Sequence, residues 1–215
     1  FAYRNGSTLD IPKYKYYQSS QLSDERNAST VTATTAQWIV IKSNPKRDEF
    51  ILGTLDGSGD LNLQVHYNYN FSNLTEVATG YSTVEDNYKG FDIGFEQDTG
   101  DAIVVYNDTG GETYIIWNGS SWSAENNLNP DGCTGSPRWI EIDELRNSSN
   151  LAMMYLDFNG DLCGQLWNGT NWTQVFPGTS PSKRSDVGIA YDSARQKIVL
   201  FSGYYPSSCI KDTWE

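Results

Sequence analysis

Apolar residues in this chain alternate with polar ones over short stretches, and more continuous apolar runs follow at a nearly constant interval. Gln37-Trp38-Ile39-Val40-Ile41, Gly90 to Phe95, Arg138 to Ile142 and Asp186 to Tyr191 each read as a first strand. Each is followed by a polar turn and a more apolar stretch: Phe50 to Leu55, Ala102 to Tyr106, Leu151 to Leu156 and Lys197 to Phe201. Alternation marks a strand covered on one face. A short apolar run bounded by turn residues suits a strand covered on both faces, as between stacked sheets. Hairpin turns come next at Asp56 to Asp60, Asn107 to Gly111 and Asp157 to Asp161. A third strand then ends on an aromatic residue, and a short fourth strand closes the group.

The spacing of those aromatics predicts the architecture. Trp117-Asn118-Gly119-Ser120-Ser121-Trp122 and Trp167-Asn168-Gly169-Thr170-Asn171-Trp172 lie 50 residues apart. The same step backwards reaches Tyr67 and Tyr17, and forwards it nearly reaches Trp214. Asn-Gly supplies the residues with φ > 0 that a tight hairpin needs. Four antiparallel strands in about 50 residues is the size of a propeller blade. The expected fold is therefore an all-β, β-propeller-like array within a single domain, 1–215. Blades are expected at 37–77, 90–126 and 138–176, with partial blades at 1–27 and 185–215. No window sustains a helical period. Ile140 to Arg146, the nearest candidate, is too short. The ragged ends leave three arrangements open: a ring closed by sharing a blade, a segment of a longer array, or strand addition to a neighbouring subunit.

Composition agrees with this pattern and excludes some functions. The 7 Trp, 14 Tyr and 8 Phe favour strands, and the 19 Gly favour turns. A net charge of −12 argues against a nucleic-acid partner, which needs clustered Lys and Arg. The one local basic pair, Lys183 and Arg184, reads as a solvated loop. There is no run of 18 apolar residues, so no membrane span is expected. The chain opens on Phe1 without Met or a signal peptide, as a processed chain or a fragment would. Of the three cysteines, Cys133 and Cys209 are the pair expected in a disulfide, since both sit in loops. Three free or buried thiols is the alternative.

The run Phe91 to Tyr106 followed by Trp117 to Trp122, with Gln37 to Asp56 beside it, resembles the tandem repeats of archaeal and bacterial surface proteins. Arg195 to Gly203 followed by Asp212-Thr213-Trp214-Glu215 is similar to kelch-type propeller blades. The resemblance covers nearly the whole chain and implies an extracellular scaffold, adhesive or appendage role. Tyr67 to Asn70 and Tyr17 to Ser20 depart from it by lacking the Trp-Asn-Gly turn.

Candidate chemistry is sparse. Nine Asn-X-Ser/Thr sequons occur, at Asn5, Asn27, Asn70, Asn73, Asn107, Asn118, Asn147, Asn168 and Asn171. Most fall in expected loops, where a glycan fits and shields the surface. At Asn118 and Asn168 a tight turn already demands the same residues. The single histidine, His66, would have to serve any triad, and no Gly-X-Ser-X-Gly elbow accompanies it. Asp92, Glu96, Glu141 and Asp143 alternate along first strands. They are either paired acids at a channel mouth or the polar face of a strand. The turns at Asp56 and Asp157 resemble loose calcium loops, but an Asp-capped hairpin explains the same residues, so no metal or cofactor is assigned. Trp117, Trp122, Trp167 and Trp172 are the candidate sugar-stacking residues. Aromatics repeated at one blade position also serve to pack neighbouring sheets.

Together these features favour an extracellular or cell-surface structural or adhesive protein, glycosylated and self-associating into a filament or array. The alternative is a carbohydrate-binding, lectin-like propeller module, with a propeller glycosidase behind it.

Overall fold

The computed structural model describes residues 1–4, 11–18, 20–31, 35–67, 69–78, 88–108, 111–128, 135–146, 148–175, 179, 181–182, 184, 187–192, 194–195, 197–205 and 207–215. Within these, only the backbone is described at Asn73, Ile189, Tyr191 and Ile198. No helix occurs among the described residues, so none is long and apolar enough to cross a membrane. The chain is an all-β array of antiparallel blades, propeller-like, with incomplete sheets at both ends. It divides into two compact units, Phe1–Lys89 and Gly90–Glu215.

The first unit opens with short strands: β1 (Ala2–Tyr3), β2 (Lys13–Tyr14), β3 (Tyr17–Gln18), β4 (Gln21–Leu22) and β5 (Arg26–Asn27). These form a three-stranded sheet in the order β1-β2-β5 and a two-stranded one, β3-β4. A full blade follows: β6 (Ala36–Ser43), β7 (Glu49–Asp56), β8 (Leu61–Tyr67) and β9 (Asn70–Ala78), paired in sequence order. Its apolar second strand is covered on both faces, as the continuous run predicts: Ile51, Leu52 and Leu55 are all buried. Tyr14, Ala28 and Leu52 form the core against which Ala2, Tyr16, Ile39, Ile41 and Phe71 pack. Gln64 on β8 is wholly buried, and its amide behaves as a ladder rung. Its Oε1 accepts from Ser29 N at 2.8 Å and its Nε2 donates to Ser29 O at 3.0 Å.

The second unit carries two full blades and a partial one. The strands are β10 (Phe91–Phe95), β11 (Ala102–Asp108), β12 (Gly111–Trp117) and β13 (Asn126–Asn127), then β14 (Pro137–Glu144), β15 (Leu151–Asp157), β16 (Leu162–Trp167) and β17 (Trp172–Val175). The last sheet has three strands, β18 (Gly188–Asp192), β19 (Lys197–Phe201) and β20 (Thr213–Trp214). First strands β10 and β14 pack together, and their acids make the join. Asp92 Oδ2 accepts from Ile142 N at 2.8 Å, and Glu144 Oε1 accepts from Phe95 N at 3.1 Å. Ile103, Ile140, Ile142, Leu151 and Met153 fill the space between them. Burying each such side chain contributes about 1.5–3 kcal/mol.

Turn chemistry recurs at the third-to-fourth-strand hairpins. Gly119 (φ +91°) and Gly169 (φ +94°) hold the left-handed position in the Trp-Asn-Gly turns. Where the sequence lacks that glycine, Ser20 (φ +64°) and Tyr69 (φ +66°) are forced into the same region. The Asp-started hairpins are capped as expected: Asp56 Oδ1 accepts from the amides of Ser58 and Asp60, and Asp157 Oδ1 from that of Asp161.

Two expectations from the sequence are corrected here. Cys163 is disulfide-bonded and Cys209 is a free, exposed thiol, so a Cys133–Cys209 bridge is ruled out. Cys133 itself lies outside the described residues. Arg184 is no solvated loop residue. It is 2 % exposed, and its guanidinium donates to Ser182 O, Ser182 Oγ, Ser202 O and both carboxylate oxygens of Asp212. Trp214 Nε1 donates to the same carboxylate, which fastens β20 to the last blade. Lys183 lies outside the described residues.

Candidate functional site

The four tryptophans come together in two pairs, Trp117 with Trp122 at 5.2 Å between ring centroids and Trp167 with Trp172 at 5.5 Å. Each pair spans a hairpin whose tight turn folds the fourth strand back onto the third. Trp117 and Trp167 are only 2 % exposed, the burial that aromatics packing between neighbouring sheets would show. Trp167 Nε1 is spent on Glu96 Oε1 at 2.6 Å, and Tyr114 packs edge-on against both Trp167 and Trp172. Trp122 and Trp172 are half-buried covers over their partners.

The sequons separate by environment. Asn107 is 3 % exposed and its Nδ2 donates to Pro137 O at 3.0 Å, so this nitrogen is closed to a glycan and Asn107 is withdrawn as an acceptor. Asn27, Asn70, Asn118, Asn168 and Asn171 are exposed. In Asn118 and Asn168 the Oδ1 caps the turn, accepting from the two amides and the sequon hydroxyl that follow. Asn171 Nδ2 donates to Thr170 Oγ1 at 3.3 Å. Asn5 and Asn147 lie outside the described residues, as does the side chain of Asn73.

The candidate acids are engaged in structure. Asp92 (2 % exposed) and Glu96 (5 %) accept the bonds given above, Glu96 also one from Thr99 Oγ1, and Glu141 Oε1 accepts from Trp139 Nε1 at 2.9 Å. His66 is buried in a ring of aromatics, with centroids at 5.4 Å to Tyr14, 5.3 Å to Phe50 and 5.0 Å to Phe71. Both its ring nitrogens lack a partner. Burial pushes its pKa down, aided by the Arg26 charge and opposed by Asp48.

Above this aromatic cluster, the first unit displays a surface that the tryptophan motifs do not announce. Tyr69, 54 % exposed, is held in the left-handed region by the turn after β8, a conformation that costs a bulky residue about 1 kcal/mol or more. Its carbonyl accepts from Tyr14 Oη at 3.4 Å. Its ring lies 6.2 Å from that of Tyr16 at an angle of 49°. The guanidinium carbon of Arg26 sits 5.3 Å over the Tyr16 ring. Tyr14 and Phe71, crossed edge-to-face at 4.8 Å, support this face from below. Tyr17 (72 % exposed) and Tyr67 (58 %) stand at the same blade position as the buried Trp117 and Trp167. The aromatic column is therefore core in the second unit and surface in the first. The sequence signal that distinguishes them is the missing Asn-Gly turn.

No protein-family model matches the chain, and no curated protein matches it. Solved structures do. The BP39L lectin from Burkholderia pseudomallei matches with a TM-score of 0.65 at 13 % identity, covering 90 % of this chain and 57 % of the lectin. The SapL1 lectin, solved with α-methyl fucoside, matches with a TM-score of 0.53 at 15 % identity, covering all of this chain and 71 % of the lectin. A microbial sialidase reaches a TM-score of 0.48 at 8 % identity over 92 % of this chain and 50 % of its own, too slight a likeness to carry an argument. The chain thus spans little more than half the length of the first lectin, and at these identities the likeness is one of fold: an antiparallel β-propeller type of array.

Proposed function

We propose that the chain is a carbohydrate-binding module of lectin type, holding saccharides on the face formed by exposed Tyr69 and Arg26, with half-buried Tyr16 in contact with both. The observation that carries this reading is Tyr69, a tyrosine kept in a strained backbone conformation while about half exposed to solvent. Strain of this kind persists where the surroundings over-determine it, and it gathers at ligand sites. One face of a sugar ring is lined with C–H groups and packs on an aromatic plane, while its hydroxyls take bonds from tyrosine hydroxyls and guanidinium N–H groups. The fold shared with two lectins supports the same reading. It moves the weight away from a structural or adhesive filament role, for which self-association has no support. An extracellular or cell-surface location goes with it, with the exposed sequons as glycan acceptors.

The test is titration of the purified chain with a saccharide panel, starting with α-methyl fucoside and followed by ligand-observed NMR and intrinsic fluorescence. The control is Tyr69→Gly, because glycine adopts φ +66° without strain and so keeps the turn. We expect at least one saccharide to bind, and Tyr69→Gly to weaken it about 10-fold while the melting temperature holds or rises. A panel with no binding sugar, or one bound equally by the variant, rejects this site.

A further inference from the structure

We infer that the Tyr16–Tyr69–Arg26 face takes an acidic saccharide, a pyranose ring bearing a carboxylate, in preference to its neutral counterpart. The inference rests on the carbohydrate-binding reading and adds the chemical class of the ligand. Arg26 is exposed on β5, directly across the ladder from Tyr14. Among the described residues no carboxylate forms an ion pair with it, although the chain holds 27 Asp and Glu against 15 Lys and Arg. Four other arginines are occupied: Arg47 by Glu49, Arg184 by Asp212, Arg195 by Asp192 and Glu215, and Arg4 by the Ala36 carbonyl. The surrounding segment also departs from the acidity of the chain. Residues 1–27 hold four cations, Arg4, Lys13, Lys15 and Arg26, against three carboxylates, Asp10, Asp24 and Glu25.

The geometry fits a carboxylate. Stacking on Tyr16 holds the guanidinium in place, and the neighbouring Tyr14 hydroxyl engages only part of its five-donor capacity. Arginine offers five donors and no acceptor, and its fork matches a carboxylate through two parallel bonds. A sugar ring seated on Tyr69, whose own ring lies 6.2 Å from that of Tyr16, would direct one exocyclic group toward Tyr16 and the guanidinium 5.3 Å from it. A carboxylate there completes a charge-assisted pair, and a hydroxymethyl group does not.

The test compares methyl glucuronide with methyl glucoside, which differ only in a carboxylate against a hydroxymethyl group, by ligand-observed NMR titration at physiological salt. The expected result is at least about 10-fold tighter binding of the glucuronide. Arg26→Gln should abolish that preference and Arg26→Lys restore part of it, with melting temperatures unchanged because the side chain is exposed. Equal affinities for the two sugars, or a preference surviving Arg26→Gln, overturn the inference. If neutral saccharides bind and are lost in Tyr69→Gly, carbohydrate binding stands and only the acidic preference falls. If no saccharide binds, both fall.

Discussion

Replacing Gly94 by alanine measures how tightly the blades of the second unit are packed. Gly94 lies mid-strand in β10 with no left-handed backbone to preserve. Its substitution would ordinarily stabilise by about 0.4–1 kcal/mol, through the reduced freedom of the unfolded chain. Here the new Cβ would stand 2.5 Å from Ile142 Cγ2 and 3.3 Å from Leu151 Cδ1. Carbon atoms rest about 3.5–4 Å apart, so one contact is short by roughly 1 Å. Ile142 cannot swing aside easily, since its β-branch confines χ1 and it is 3 % exposed. Overpacking costs about 1–3 kcal/mol, and a contact short by this much against a confined side chain falls in the upper part of that range, so the net loss after the backbone gain is about 1–2 kcal/mol. For a domain of this size that lowers the melting temperature by about 2–8 °C. Denaturant unfolding, read by circular dichroism and tryptophan fluorescence, gives the free energy directly. The decisive variant is Ile142→Leu, which removes the β-branch while keeping the volume and costs less than about 1.5 kcal/mol alone. The double variant should recover at least about 0.5 kcal/mol relative to the sum of the singles. A neutral or stabilising Gly94→Ala, or strict additivity, refutes the claim that this contact limits the fit between blades.

Because the His66 pKa is pushed down in the fold, the unfolded chain binds the extra proton first. Stability should be full above about pH 6.5 and fall as pH drops through the folded pKa. His66→Phe, which removes two unpartnered nitrogens from an aromatic ring, should flatten that slope and stabilise by about 1 kcal/mol at pH 7. Asp212 is held down to about 2, by the Arg184 guanidinium first and Trp214 second, so its clasp persists until pH falls through that value. Arg184→Ala should strip hydrogen-exchange protection from the amides around Thr213 and Trp214 at neutral pH. In non-reducing peptide mapping, Cys209 should alkylate without reductant and Cys163 only after reduction. Glycopeptide mass spectrometry of chain made in a glycosylating host should find sugar at Asn118 or Asn168 and none at Asn107.

The blades were legible in the sequence because their cause is local. Period-two alternation, apolar second strands and Asn-Gly turns each act within a few residues, and the 50-residue step between Trp117 and Trp167 repeats them. The functional face was not legible, because the property that matters is exposure. Tyr67 and Trp117 occupy equivalent strand ends, yet one is 58 % exposed and the other 2 %; the missing Asn-Gly turn marks the difference in sequence, but that it means exposure is seen only in the packed fold. Likewise nothing around Arg184 in sequence announces Asp212, 28 residues on, as its partner. Asp92 on β10 reads in sequence as a catalytic acid or as the polar face of a strand, and the third possibility, that it pins one blade to the next, needs the neighbouring strand in view.

The Gln64 amide decides where this chain can be divided. A segment starting at residue 36 would contain every strand of the first full blade, yet its core would hold an amide whose two partners, both on Ser29, had been cut away. Each buried polar atom orphaned in that way costs about 1–3 kcal/mol, a large part of what a single blade could muster. The segment carrying Ser29 and the blade therefore melt together, and the smallest autonomous piece of the first unit begins well before its first long strand.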